Sequence, residues 1–213
     1  MSESRYPPGS RAARTREALL SAGLELMAER PVDAIPIDDV VARAGVAKGS
    51  FFNHFADKQD FAGAVAAEVR GELESRIGAR NRDVADPLER LVGGMSAAVA
   101  FALSEQLKAI VMLRGLQWST ARGNPLNKGI RRDIEDAVAA GLVRPEAGSA
   151  GVLYWLSLCQ MIMVNVIERE MDRTAAAVRL REMLVLGLGG LGVDAGRASQ
   201  LSQAAATALA RDR

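Results

Sequence analysis

The sequence predicts an all-α protein in two parts, and three observations carry that expectation. Apolar residues fill 49% of the 213 positions, aromatics only 4%, and Ala, Leu and Val abound; Ala and Leu favour helices because they lose little side-chain freedom there. Apolar positions recur at helical spacing between Pro and Gly stops. Strand-like alternation is missing between those stops.

The elements follow in order. Met1 to Gly9, with Pro7 and Pro8, reads as a flexible leader. Ser10 is an N-cap for a helix running to about Glu29, with Leu19, Gly23, Leu26 and Met27 on one face and Pro31 as its stop. A short helix covers Ile37 to Ala44, its first turn carrying Asp38 and Asp39, where negative charge complements the helix dipole. Gly45 ends it as a left-handed residue would. A second short helix spans about Lys48 to His54, and Asp57 caps a longer one that continues to about Arg80. Asp86-Pro87 opens a helix to Ser104, with Pro in the first turn where its missing N–H costs nothing. Further helices are expected at Glu105–Arg114, from the loop at Arg122–Pro125 to Gly141, at Ala147–Glu170, and from a Thr174 cap to Leu191. Asp194 to Ala210 reads as a last, weakly held helix.

Charge and cysteine content exclude more than they assign. The formal net charge is +1, which points neither toward nor away from nucleic acid. Arg5, Arg11, Arg14 and Arg16 face only Glu3 in the first sixteen residues, making a basic arm, whereas acids outnumber bases from Glu17 to Asp60. Cys159, the single cysteine, has no partner for an internal disulfide and reads as a small core residue. No leader of secretory type opens the chain, and Gly151–Ile167, the most apolar stretch, is slightly short for a membrane span and carries Ser157, Gln160 and Asn165. A helix buried in protein and a cytoplasmic location are expected, with no membrane partner.

Residues Ile37 to Phe55 have the grammar of a helix-turn-helix. Two short helices that cross steeply need small residues where they touch, and Ala44 and Gly45 supply them. Val40, Val46, Phe51 and Phe55 can fill a small core shared with the first helix. Lys48, Gly49, Ser50 and Asn53 are left on the outer end of the second helix, the face that a recognition helix turns to the major groove.

This stretch resembles the tetracycline-repressor (TetR) family of transcriptional regulators. The resemblance runs in register from about Arg11 to Ala66. It is carried by Arg16, Leu19, Leu20, Ala22, Gly23, Leu26 and Met27, then Ala44-Gly45-Val46, Gly49-Ser50, Phe51-Phe52, His54-Phe55 and Lys58. It implies base contacts from Lys48 and Ser50, and phosphate contacts from Phe52, His54 and Lys58. Lys58 also stands near a helix start, where ammonium and backbone N–H groups can share one phosphate. Asn53 can pair with a base, and Arg11, Arg14 or Arg16 can reach flanking backbone or a minor groove. Four positions depart from the pattern. Phe52 replaces a Tyr and so lacks a hydroxyl, and Arg30-Pro31 replaces a Gly. Pro36 and Ala47 stand where Thr and Ser would cap the two short helices, each missing cap costing about 1 kcal/mol.

The remaining motifs have plainer readings beside functional ones. His54 is the only histidine and no ligand cluster accompanies it, so no metal site or catalytic triad is expected, and no cofactor. Gly187, Gly189 and Gly192 spell G-x-G-x-x-G, but helix precedes them and no βαβ unit can follow, so close helix approach is the better account. Phe101, Met112, Trp118, Tyr154, Trp155, Met161 and Met163 either line an effector cavity or fill core, with Arg114, Gln117 and Asn165 as polar candidates. The last two strong helices carry more apolar surface than one helix face can bury. The resemblance implies a four-helix dimer interface there, with Leu156, Cys159, Met163, Val166, Leu180, Met183, Leu184 and Leu188 as candidates; packing within the chain is the other explanation.

The resulting expectation has an arm at 1–10 and a three-helix DNA-binding domain at 11–56. A connecting helix at 57–80 leads to a helical effector-binding and dimerisation domain at 81–213. The resemblance implies a non-enzymatic repressor that binds a palindromic double-stranded operator as a homodimer and is released by a small, largely apolar effector. A partner-binding scaffold of the same fold, or a helical enzyme, are the alternatives.

Overall fold

The computed structural model describes Pro7, residues 9–115 and residues 125–211. Ten α-helices and one 3-10 turn make up the regular structure among the described residues, and no strand occurs among them. They fall into two compact units, one of 1–72 with 107–115, the other of 73–106 with 116–213.

The first unit holds α1 (Arg11–Glu29), α2 (Ile37–Ala44), α3 (Lys48–Phe52), the first part of α4 (Lys58–Arg80) and most of α6 (Gln106–Arg114). Ser10 Oγ accepts the Ala13 N–H at 3.1 Å and so starts α1. The chain turns extended at Arg30, ahead of Pro31, and a 3-10 turn at Val32–Ala34 leads to α2. Gly45 closes α2 with φ 66° and ψ 32°. There the Val46 N–H reaches Val41 O and the Gly45 N–H reaches Ala42 O, the paired bonds of a Schellman end. Neither Pro36 nor Ala47 gives α2 or α3 a side-chain cap. α3 ends at Phe52, shorter than the expected run to His54, and Asp57 Oδ1 accepts the Gln59 and Asp60 N–H groups to start α4.

One apolar cluster unites these helices. Leu19, Leu20, Leu26 and Met27 of α1 meet Val40 and Val41 of α2, Phe51 and Phe55 near α3, Phe61 and Val65 of α4, and Val111 of α6. The Phe51, Phe55 and Phe61 rings stack edge-on or tilted at 5.0 to 5.5 Å between centroids. Gly23 is required where α1 crosses α4, because a Cβ there would overlap the Phe61 ring and stand 3.0 Å from Val65 Cγ2.

The second unit is built on α5 (Pro87–Ser104), which packs against α7 (Pro125–Ala139), α8 (Ala147–Glu168), α9 (Arg173–Gly190) and α10 (Ala195–Arg211). Its apolar side chains are buried nearly all round, as a central helix requires. Asp86 caps α5 by accepting the Leu88 N–H at 2.7 Å. A buried ion pair ties α5 to α7, Arg90 Nε donating to Asp133 Oδ1 at 2.6 Å, and Arg90 also pairs with Asp136.

Two expectations need correction here. Asp172, rather than Thr174, caps α9, its Oδ1 accepting the Ala175 N–H at 2.7 Å. α10 is firmly packed, not weakly held, since Ala198, Leu201, Ala205, Ala206 and Leu209 are all buried. α8 ends two residues short of the expected Glu170, and its 22 residues are long and apolar enough by length and composition to cross a membrane. Its inner residues Trp155, Leu156, Ile162, Met163 and Val166 are instead core. Gly187 permits the approach of α9 to α8, for a Cβ there would lie 2.9 Å from Leu158 and 3.2 Å from Trp155. Gly187 thus has the role anticipated for the series, whereas a Cβ at Gly189 would meet nothing within 4 Å and Gly192 has φ 88° in the turn after α9.

Candidate nucleic-acid interface

α3 is anchored from one side and open on the other. Phe51 is fully buried and Phe55 nearly so, which fixes how the helix rotates on its core. Lys48, Gly49 and Asn53 then face solvent, Ser50 is half-buried, and Phe52 is 53% exposed. A Cβ added at Gly49 would meet nothing within 4 Å, so the surface there is shallow and bare.

Charge around this face is partly engaged within the chain. Lys48 Nζ lies 2.8 Å from Asp38 Oδ1, with both side chains mostly exposed. Exposed pairs of this kind contribute little, so the ammonium is readily exchanged to another anion. Lys58 Nζ donates to the Asp33 carbonyl at 3.0 Å, an engagement between positions 25 residues apart that no local pattern announces. Arg14 is exposed and donates to the Gly9 carbonyl at 2.6 Å. Arg16 places its guanidinium 5.5 Å from the centre of the Phe55 ring, a cation–π distance. Burial, with the Arg16 charge second, lowers the pKa of the half-buried His54. Both causes favour the neutral imidazole.

The structure therefore brings Lys48, Gly49, Ser50, Phe52, Asn53, His54 and Lys58 together around α3 and the start of α4, on the first unit. Asp38, which sequence reasoning assigned only to the helix dipole, belongs beside them. Its place in the first turn of α2 was the available signal.

The other candidate sets are dispersed. Of the residues considered for an effector pocket, Phe101 and Trp155 are fully buried, the former with Arg76 5.0 Å above its ring. Tyr154 is half-buried and its hydroxyl donates to Leu186 O at 3.3 Å. Met112 and Arg114 belong to the first unit, and Gln117 and Trp118 lie outside the described residues. Met161 and Asn165 do share a concavity, an open groove of about 290 Å³ between α8 and α9 that Glu168, Arg179 and Met183 also line. Of the large aromatics expected there, Phe101 and Trp155 are taken up in packing.

Six of the eight expected interface residues pack within the chain itself. Leu156, Met163, Val166, Leu180, Leu184 and Leu188 are buried in the chain's own core, while Cys159 and Met183 are half-buried. Burial of its sulfur pushes the Cys159 thiol up to about 12, which favours the protonated form. The large apolar residues exposed on these helices are Leu153 and Met161 of α8 and Val178, Val185 and Leu186 of α9, at 37% to 69% exposure.

Comparison with known proteins agrees with this geometry. Residues 19–65 match the family model described as bacterial regulatory proteins, tetR family. The chain is 34% identical over 91 residues to the HTH-type transcriptional repressor DhaR of Mycobacterium sp. (strain GP1), covering 43% of this chain and 46% of that protein. It spans about half the length of the first curated relatives it matches. A gamma-butyrolactone receptor (ArpA-like protein) superposes with a TM-score of 0.67 over 95% of this chain and all of that one, at 20% identity. AibR, solved with isovaleryl coenzyme A and operator DNA, gives 0.58 over 70% of this chain and 86% of that one, at 17% identity. These structures show that the fold is shared; the relatives are transcriptional regulators, not enzymes. Helices, turn, buried aromatics and family match converge on one reading of this segment: residues 19–65 match the tetR family of bacterial regulatory proteins.

Proposed function

We propose that this protein is a transcriptional repressor that binds a palindromic DNA operator as a homodimer and is released by a small, largely apolar effector. The observation that carries the reading is the exposed, shallow outer face of α3, bare at Gly49 and bordered by Lys48, Ser50 and Asn53, within a tetR-family domain. Lys48, Ser50 and Asn53 address base edges, and Phe52, His54 and Lys58, with Arg14, address the phosphates on either side. Lys58 releases the Asp33 carbonyl to do so.

A second copy of the chain covers the outward apolar residues of α8 and α9. Dimers present two recognition helices to two half-sites, which is why a palindrome is expected. Relatives named as a gamma-butyrolactone receptor and as an isovaleryl coenzyme A complex support a small-molecule effector here too. Such an effector acts only if it binds the DNA-competent and released arrangements with different affinity. The protein is read as cytoplasmic, without cofactor or enzymatic activity, as its regulator relatives suggest.

The test is in vitro selection of DNA bound by the purified protein, followed by titration of the enriched site at several salt concentrations. An enriched palindrome with a steep negative salt slope supports the reading. Absence of any enriched site overturns it and favours a partner-binding scaffold.

A further inference from the structure

The connection between α1 and α2 is held by cationic side chains on backbone carbonyls, and one of them comes from far outside the helix-turn-helix. α1 stops at Glu29 and the chain turns extended at Arg30. Pro31 brings no N–H, and α1 has no basic residue in its own last turn. Carbonyls at a helix end need donors from elsewhere. Leu26 O is met by the Arg30 N–H at 3.0 Å. Met27 O is met by Arg114 Nη1 of α6 at 2.9 Å, from 87 residues along the chain.

The donor is well chosen for this end. A guanidinium there also meets the negative pole of the α1 dipole. α6 is held in place by Val111, fully buried among Leu19, Leu26, Met27 and Phe51, with Ile110 packed alongside. Downstream of the cap, Arg30 pairs with Asp39 of α2 and donates to Ala34 O, while Lys58 donates to Asp33 O. The segment that Arg114 steadies therefore carries α2, and α2 carries the turn into α3.

We infer that Arg114 is a positioning residue for DNA reading: by capping α1 from α6, it sets the α1–α2 connection and so the placement of the recognition helix. The inference rests on the DNA-binding reading above. It gives Arg114 a task in place of the effector contact its sequence position suggested. It also explains how the domain tolerates Arg30-Pro31 in place of a glycine.

The experiment compares the parent with Arg114→Ala and Arg114→Lys, each as the full chain. It measures affinity for the selected site, affinity for unrelated duplex of equal length, and the thermal midpoint. Arg114→Ala is expected to bind the selected site about tenfold more weakly and unrelated duplex within about twofold of the parent, with Lys regaining most of the loss. Hydrogen exchange in the free protein should quicken across residues 27–37 in the Ala variant alone. A folded Arg114→Ala protein whose ratio of specific to non-specific affinity equals the parent's overturns the inference, since a merely stabilising contact would lower the midpoint and spare that ratio. A parent that selects no sequence overturns the DNA-binding reading and this inference with it.

Discussion

Around α3 the exposed side chains are charged, amide or absent altogether at Lys48, Asn53 and Gly49, with the exposed ring of Phe52 beside them. Along α8 and α9 large apolar side chains are exposed, at Leu153, Met161, Val178, Val185 and Leu186, beside the ion-paired Arg179 and Glu182 of α9. Both faces sit on well-packed helices, so neither is a defect of folding. Their different chemistry suits different partners: hydrogen-bonding groups and cations suit a polyanion with polar base edges, while large exposed apolar residues suit a protein surface. The position of each also differs in kind. α3 depends on one buried aromatic cluster to aim it, whereas the α8–α9 face is simply what remains once the inner side chains are buried.

The largest effect should come from charging the apolar face. Met161→Glu with Leu186→Arg is expected to give a monomer by sedimentation and to lower operator affinity by on the order of a hundredfold or more, because two linked half-site contacts become one. A dimer that survives both charges would show that these residues do not form the interface. Next in size, Lys48→Ala with Lys58→Ala should lower affinity about tenfold or more and reduce the salt slope by roughly one unit for each phosphate no longer neutralised. Titrations of each single variant at several salt concentrations separate the two residues, since removing a base contact lowers affinity without changing the slope.

Two glycines of the first unit come next. Gly45→Ala, at φ 66°, should destabilise by about 1–2 kcal/mol in denaturant melts, the cost of a left-handed residue with a Cβ. Gly49→Ala adds its methyl to open space and should raise helix stability by up to about 1 kcal/mol. It should nevertheless weaken operator binding, because the methyl occupies the face that meets the groove. Improved stability with undiminished DNA affinity would remove Gly49 from the interface.

The smallest effect concerns His54. Its pKa in the folded protein is lowered, by burial first and by Arg16 second. The folded state thus binds fewer protons than the unfolded one, and stability falls as pH drops below the ordinary value of about 6.5, levelling off below the folded value. His54→Gln should flatten that part of the profile in pH-dependent melts. On DNA a phosphate contact would raise the pKa, so the parent, but not the Gln variant, should gain affinity as pH falls through the same window.

Much of the first unit was legible because its rules are local. Ser10, Pro31, Gly45 and Asp57 announce helix ends through backbone geometry and capping, and each acts within a few residues of itself. α3 was read too long by two residues, since its end depends on how Phe51 and Phe55 enter the core. The second unit was legible as helices but not as surfaces. Leu156 and Met163 sit on a sequence apolar nearly all round, and Leu180 and Leu184 on one where charged and apolar positions alternate without a single apolar face, so periodicity cannot say which side faces inward.

The helical class, the helix-turn-helix and the residues on its outer end could all be read from the chain alone, because spacing and turn chemistry are properties of neighbouring positions. Folding had to settle which apolar residues of α8 and α9 remain outside, that Asp38 faces Lys48, and that Arg114 closes the end of α1. Each of those is a meeting of separate elements, and its partner is set by packing that no local pattern encodes.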